Sequence, residues 1–124
     1  MLQGEALAAV YADMDLFVFP SHTDTYGNVV LEALASGVPA VVTPDGGPAT
    51  IVCDKKTGRV VAEELFARTI SNVLDDAPML GEMRMAARNE ALRATWTSVF
   101  ENVYRGYELV LGKTQEPRLM PKLR

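Results

Sequence analysis

The sequence predicts an α/β fold in which a parallel sheet is flanked by helices, followed by a helical C-terminal part. Short apolar runs at residues 16–20 (LFVFP) and 40–43 (AVVT) end in turn-forming residues, which is typical of strands buried on both faces. Residues 29–36 (VVLEALAS) between them indicate a helix that stops at Gly37 and Pro39. Strands that alternate with helices favour a parallel sheet.

The other elements follow in order along the chain. Residues 4–14 (GEALAAVYADM) predict a helix at the start. Its apolar stripe consists of Leu7, Val10, Tyr11 and Met14. After the second strand, the pattern predicts a turn, one helical turn, a short strand and three helices, at 44–48, 49–53, 58–61, 63–74, 79–93 and 98–111.

The start of the helix at residues 29–36 is predicted to bind an anion. Gly27 permits a backbone conformation that other residues resist, and Asn28 is a favoured N-cap. The first amides of a helix lack intrahelical partners, and the helix dipole is positive there. In an open α/β sheet this point lies outside the carboxyl ends of the strands, where ligands usually bind. Phosphate is therefore the expected ligand.

Two carboxylates lie on either side of this helix start. Glu32 follows Asn28 by four residues, on the same face and about 6 Å along the axis, a suitable place for a ribose below a bound phosphate. Asp24, in the preceding loop, can accept hydrogen bonds from whatever the phosphate carries. The spacing thus indicates a nucleotide on one side and a sugar on the other.

This segment resembles the donor-site motif of the retaining glycosyltransferases of GT-B fold, family GT4, in which two Glu residues are separated by seven others. Here the motif reads Asp24, seven residues, Glu32, and DLFVFPS, YGNVVLEALASGVPAVVT, GGP and TGRVV surround it. The likeness continues more weakly towards Trp96 and Tyr104 to Tyr107 and covers most of the chain. Within the family, the TDTYGN form looks like a branch with mannosyl- and sulfoquinovosyl-type transferases.

The resemblance implies a role for each position of the motif. Asp24 would contact the transferred hexose as the catalytic-site residue that orients it, although Asp is a methylene shorter than the usual Glu. The backbone around Gly27 and Asn28, from Tyr26 to Val29, would bind the diphosphate, and Glu32 the ribose. The substrate implied is a UDP- or GDP-sugar, with no further cofactor and no metal.

Chain length limits what the resemblance implies. Residues 1–111 would form part of the C-terminal, nucleotide-sugar-binding domain of a GT-B enzyme, and residues 112–124 a basic, disordered tail. The N-terminal domain would be absent, and residues 1–54 contain no Lys or Arg to grip a diphosphate. We therefore expect this chain alone to be inactive and to bind nucleotide weakly. The alternative is a noncatalytic or degenerate Rossmann-like assembly module.

The amino-acid composition limits the binding partners and the cellular compartment that we expect for this chain. The chain is 48% hydrophobic and 23% charged with a net charge of −4, which gives no reason to expect nucleic acid. The lone Cys53, with no signal sequence or membrane-spanning run, indicates a cytoplasmic protein, and the intact enzyme could be membrane-peripheral with a lipid or glycan acceptor. An apolar face at Phe100, Val103, Tyr104 and Tyr107 would favour a homo-oligomer.

Two polar residues near the motif have simpler interpretations. His22 is interpreted as an exposed loop residue, with sugar or phosphate contact as the alternative. Asp45 is interpreted as a turn former, with donor-sugar contact by the neighbouring Gly46–Gly47 backbone as the alternative.

Overall fold

The computed structural model describes residues 5–93. The predicted helices and strands within this range are confirmed. The helix predicted at 98–111 and the tail at 112–124 lie outside the described residues. In chain order the elements are α1 Glu5–Ala12, β1 Phe17–Phe19, α2 Asn28–Ala35, β2 Ala40–Val42, α3 Pro48–Ile51, β3 Gly58–Val60, a 3₁₀ helix Glu63–Leu65, α4 Phe66–Asp75 and α5 Ala77–Arg93.

The three strands form a parallel sheet in the order β1-β2-β3. The central strand β2 is buried along its whole length, as predicted. The prediction that β1 is buried on both faces is wrong, because Val18 is 38% exposed. Its neighbour Val41 packs against Phe66 and Ile70 of α4, whereas Val18 is not part of that cluster. Only one face of β1 is therefore covered by a helix among residues 5–93.

The largest core cluster lies between the sheet, α2 and α5. Val30 and Leu34 of α2 pack there with Val42 of the sheet and Ala87 of α5. A second cluster joins α1 to α2, where Leu7 and Met14 pack around Tyr11, Ala33 and Val38. These contacts fix α2 on the sheet, so that its N-terminus faces the loop that follows β1.

The predicted apolar stripe of α1 is correct except at Val10, which is 40% exposed. Leu7, Tyr11 and Met14 are four and three residues apart and meet α2 on one face of the helix. Val10 is not among the side chains of this cluster. Within residues 5–93, no helix combines the length and the apolar character needed to cross a membrane.

Candidate functional site

Two connections meet at the carboxyl end of the sheet: the β1–α2 loop (residues 20–27) and the β2–α3 turn (residues 43–47). The Gly47 amide donates to the Asp24 carbonyl at 2.9 Å, and Thr43 donates its hydroxyl to the Ser21 carbonyl. A Cβ at Gly47 would overlap the Thr25 carbonyl oxygen and lie 2.6 Å from its carbon. The two connections are thus packed backbone against backbone.

The Asp24 side chain organises the β1–α2 loop. Its Oδ1 accepts the amides of Tyr26 at 2.9 Å and Gly27 at 2.8 Å, and its own amide donates to Ser21 Oγ at 3.2 Å. No described residue donates to the other oxygen, Oδ2. Asp24 therefore closes the loop with one oxygen and keeps the second available for a ligand.

The start of α2 differs from the prediction in its cap. Gly27 is the N-cap residue, with a left-handed φ of 66°, and no side chain caps the helix. Asn28, predicted to be the N-cap, is instead the first helical residue and is exposed. The reason is that Asp24, three residues before Gly27, already accepts the Gly27 amide, so the chain enters the helix one residue earlier.

Three amides at this helix start have no acceptor among residues 5–93, but only two of them, those of Asn28 and Val29, belong to residues with accessible surface, since Val30 is 0% exposed. Leu31 is the first residue of the helix whose amide is bonded, to the Gly27 carbonyl at 3.0 Å. Within residues 5–93, no acceptor lies opposite the amides of Asn28, Val29 and Val30. Of the backbone predicted to bind diphosphate, Tyr26 and Gly27 are thus already bonded to Asp24, and Asn28 and Val29 are free. This is an anion-binding geometry at the positive end of a helix.

Glu32 lies one turn along α2 and is held by a contact that the sequence did not indicate. The Tyr11 hydroxyl, from α1, donates to Glu32 Oε2 at 3.1 Å. Burial, and then the hydrogen bond and negative charge of Glu32, raise the pKa of Tyr11. Glu32 itself is exposed and borders a depression of about 230 Å³ between α1 and α2. Its Oε1 receives no hydrogen bond from the part of the chain described.

His22 has two carboxylate partners that sequence reasoning missed. Its Nδ1 lies 2.8 Å from Asp45 Oδ2 and its Nε2 lies 3.0 Å from Glu63 Oε2. The ring is exposed, as predicted, but it links the β1–α2 loop to the β2–α3 turn and to the 3₁₀ helix Glu63–Leu65. The hydrogen bonds that Glu63 and then Asp45 accept from the ring raise the pKa of His22. The partners are 23 and 41 residues away in sequence, so no local pattern could have shown them.

The candidate site is therefore a row of groups along the first turns of α2: Asp24 Oδ2, the open amides of Asn28 and Val29, and Glu32 Oε1. Within residues 5–93, no group of three or more His, Cys, Asp or Glu side chains is arranged to hold a metal ion. The arrangement suits a ligand with an anionic centre and hydroxyl groups on both sides.

The chain is similar in sequence to known glycosyltransferases. The chain is 37% identical over 115 residues to a GDP-mannose-dependent alpha-mannosyltransferase of Mycolicibacterium smegmatis, covering 90% of this chain and 30% of that protein. It is 45% identical over 58 residues to the sulfoquinovosyl transferase SQD2 of Arabidopsis thaliana, covering 47% of this chain and 11% of that protein. The chain thus spans less than a third of the relatives that it matches.

The fold agrees with this relationship. HepE from Anabaena, whose crystal structure was determined in complex with UDP, superposes with a TM-score of 0.70 at 19% identity, covering 85% of this chain and 30% of that chain. The family model for glycosyl transferases group 1 matches residues 2–91. The predicted family and its GT-B type of fold are confirmed, and the chain belongs to the glycosyl transferases group 1 family.

Proposed function

We propose that this chain is the donor-binding portion of a retaining glycosyltransferase that transfers a hexosyl group from a nucleotide sugar. The observation that carries the proposal is the open start of α2, where Asp24 ties the loop with one oxygen and leaves three helix amides without acceptors. Membership of the glycosyl transferases group 1 family supports a sugar nucleotide as the ligand.

The diphosphate would lie at the amides of Asn28 and Val29, the accessible ones at this helix start. Their N–H groups and the helix dipole would stabilise the negative charge that develops as the nucleoside diphosphate departs from the anomeric carbon. Compared with the sequence prediction, this moves the phosphate contact one or two residues into the helix, because the amides of Tyr26 and Gly27 are bonded to Asp24.

The two carboxylates would bind the hydroxyl groups of the ligand. Glu32, oriented by Tyr11, would accept hydrogen bonds from the ribose through its Oε1. Asp24 would orient the hexose through Oδ2 and would act by positioning rather than as an established nucleophile. The similarity to a GDP-mannose-dependent mannosyltransferase favours GDP-mannose as the first donor to test, and the UDP complex of HepE supports UDP-sugars as the second.

The intact enzyme would act on a lipid or glycan acceptor in the cytoplasm, at a membrane surface if the acceptor is a lipid. The 124-residue chain would be inactive alone and would bind nucleotide weakly. A helix terminus stabilises an anion by about 0.3–1 kcal/mol, whereas a millimolar dissociation constant requires about 4 kcal/mol. Since residues 1–54 contain no Lys or Arg, the remaining affinity would have to come from other parts of a longer enzyme.

A graft tests the proposal. The chain would replace the matching residues of the Mycolicibacterium smegmatis mannosyltransferase, and transfer from GDP-mannose would be measured. We expect retained transfer, with the donor KM raised about tenfold by Glu32→Gln through loss of a charge-assisted hydrogen bond. Asp24→Asn should lower kcat/KM by about tenfold or more for the same reason. Glu64→Gln, an exposed carboxylate in the 3₁₀ helix, is the matched control and should change neither quantity.

A folded graft that binds GDP but whose donor KM is unaffected by Glu32→Gln would contradict the ribose assignment. A folded graft that binds neither GDP nor UDP would contradict the donor-site proposal as a whole and would favour the noncatalytic assembly module. Circular dichroism and thermal unfolding identify grafts that fail to fold. If the graft does not fold, the proposal is tested instead by the amide NMR shifts of the 124-residue chain at high GDP concentration. Shifts confined to Asn28–Val30 and sensitive to Glu32→Gln support the proposal, and their absence overturns it.

A further inference from the structure

We propose that His22 is a positioning residue for Asp24 and the start of α2, acting as a charged cross-link between Asp45 and Glu63. The proposal rests on the donor-site function proposed above and adds a residue that the acidic motif does not contain. His22 is two residues from Asp24, and its ring joins three separate segments of the chain at the carboxyl end of the sheet.

The geometry requires the charged form of the ring for both contacts. Carboxylates only accept hydrogen bonds, and a neutral imidazole carries one N–H, so it can donate to Asp45 or to Glu63 but not to both. The imidazolium donates from both nitrogens, at 2.8 Å and 3.0 Å. When the ring loses its proton, one of the two carboxylates loses its partner and the link between the segments opens on that side.

The link acts on the same loop that Asp24 organises. Asp45 lies two residues before Gly47, whose amide donates to the Asp24 carbonyl, and His22 follows Ser21, whose carbonyl accepts the Thr43 hydroxyl. The contact between the His22 ring and the Asp45 carboxylate thus adds a link between two side chains to connections that otherwise meet through the Gly47 amide and the Thr43 hydroxyl. Holding this pairing fixed keeps Asp24 Oδ1 on the amides of Tyr26 and Gly27.

The charged groups around the ring are few. Asp45 faces it from the β2–α3 turn and Glu63 from the 3₁₀ helix Glu63–Leu65. The other charged residues of these segments are Asp24, in the loop of His22, and Glu64, next to Glu63; neither forms a hydrogen bond with the ring. All four are acidic, and no Lys or Arg occurs in residues 1–54. Among residues 5–93, the charged groups that face the ring therefore favour the imidazolium.

The sign of the pH dependence follows from these contacts. The pKa of His22 is raised above its ordinary value of 6.5 by the hydrogen bonds of Glu63 and then Asp45. The cross-link is therefore fully formed below pH 6.5 and is lost as the pH rises through the raised pKa of the folded protein. Donor binding should weaken over the same interval. Because the ring is exposed, the effect on global stability should be small.

The first measurement is an NMR titration of the 124-residue chain. His22 is its single histidine, so the imidazole signal needs no assignment by mutation. We expect a midpoint above 6.5, and we expect the amide signals of Tyr26 and Gly27 to move with the same midpoint. Asp45→Asn and Glu63→Gln should each lower the midpoint, whereas the control Glu64→Gln should leave it unchanged. A midpoint at 6.5, or amide signals of Tyr26 and Gly27 that do not shift as His22 titrates, would overturn the proposal.

The second measurement separates positioning from a purely structural role. GDP is titrated into the wild type, His22→Ala and His22→Gln at pH 6 and pH 8.5. The chemical shifts of the Asn28 and Val29 amides are plotted against GDP concentration, and the slope of each plot is recorded. The two variants lack the imidazole, so they measure the pH dependence that GDP itself contributes, because a terminal phosphate also titrates at pH ~6. After correction for this contribution, we expect the wild-type slope to be about threefold steeper at pH 6 than at pH 8.5, a change typical of an exposed ion pair.

The outcomes distinguish this proposal from the donor-site proposal. GDP shifts of equal slope at both pH values, after correction, overturn the role of His22 and leave the donor site intact. A titration of His22 that moves the loop amides, combined with no GDP response at either pH, overturns the donor site and with it the positioning role. A pH dependence of the slope that is larger in the wild type than in both His22 variants supports both.

Discussion

The two ends of α2 are built in opposite ways. At the N-terminus, glycines bring two backbones together and the amides of Asn28 to Val30 have no acceptor among residues 5–93. At the C-terminus, the protein itself supplies the partners. Arg88 Nη1 of α5 donates to the Ala35 carbonyl at 2.6 Å, and the amides of Ser36 and Gly37 return to carbonyls in the last turn of the helix.

This contrast shows which end is available to a ligand. A helix carries partial positive charge at its N-terminus and partial negative charge at its C-terminus. Here the negative end is neutralised by a guanidinium, whereas the positive end is left for a group from outside. We call the N-terminus of α2 the open end and its C-terminus the closed end. Substitutions that disturb the backbone packing at the open end should destabilise the fold more than substitutions of the side chains at the closed end.

The largest expected effect is at Gly47. Gly47→Ala places a Cβ against the Thr25 carbonyl and 2.9 Å from the Tyr26 amide nitrogen. Because φ at Gly47 is −61°, the cost is purely steric, and we expect the free energy of unfolding to fall by about 2–3 kcal/mol. Urea denaturation measures this. Gly81→Ala in α5 is the control, since nothing lies within 4 Å of its Cβ, and it should gain about 0.5–1 kcal/mol. Equal effects at both glycines would contradict the close packing.

Asp24→Ala comes next. It removes the acceptor of the Tyr26 and Gly27 amides and should lower the free energy of unfolding by about 1–2 kcal/mol, as for the loss of a helix cap. Asp24→Asn keeps a side-chain oxygen at the same position and should recover most of this stability. Thermal unfolding of the two variants separates the structural role of Asp24 from its proposed contact with the donor sugar. Equal destabilisation by both would show that the charge, rather than the hydrogen bonds, holds the loop.

At the closed end, Arg88→Ala removes the hydrogen bond to the Ala35 carbonyl. The loss should be about 0.5–1 kcal/mol, because the side chain is exposed and water can replace the donor. Arg68→Ala, at an exposed position of α4, controls for the change in net charge and helix propensity. Chemical denaturation of both variants, in low and high salt, tests the difference. If Arg88→Ala lowers the free energy of unfolding no more than Arg68→Ala does, the hydrogen bond from Arg88 to the Ala35 carbonyl does not stabilise this helix end.

The smallest expected effect is at Arg84. Its Nη1 lies 3.3 Å from Asp15 Oδ1, on a side chain of Asp15 that is largely exposed. Ion pairs of this kind contribute about 0–1 kcal/mol, so Arg84→Ala should be close to neutral. A double-mutant cycle with Asp15→Asn gives the coupling directly. A coupling as large as the Arg88 effect would mean that the side-chain contacts at this end are more important than we infer.

The sequence predicted the elements of the fold because each depends on nearby residues. The apolar run at residues 40–43 predicts β2, and VVLEALAS followed by Gly37 predicts α2, as found. Gly27 and the pattern after it also located the start of α2 to within one residue, since the residues that decide it belong to one loop and one helix. The assignment of ligand contacts to these residues stays a prediction.

The remaining features depend on contacts between distant residues. Nothing near Glu32 indicates Tyr11, and nothing near His22 indicates Glu63, because the folded sheet brings them together. The exposure of Val18 depends on where α4 lies, which the strand itself does not encode. The N-cap was misplaced by one residue because Asn28 has a high propensity for that position, whereas the hydrogen bonds of Asp24 decide the local geometry.

The order of the strands has a consequence for how the chain folds. Because the order in the sheet is the order along the chain, each strand pairs with the next strand to emerge, through a single helical connection. The sheet can therefore grow stepwise from β1 to β3 without closing a long loop, which keeps the entropic barrier low. We expect refolding of this segment to be limited by the docking of helices on the sheet rather than by the search for strand partners.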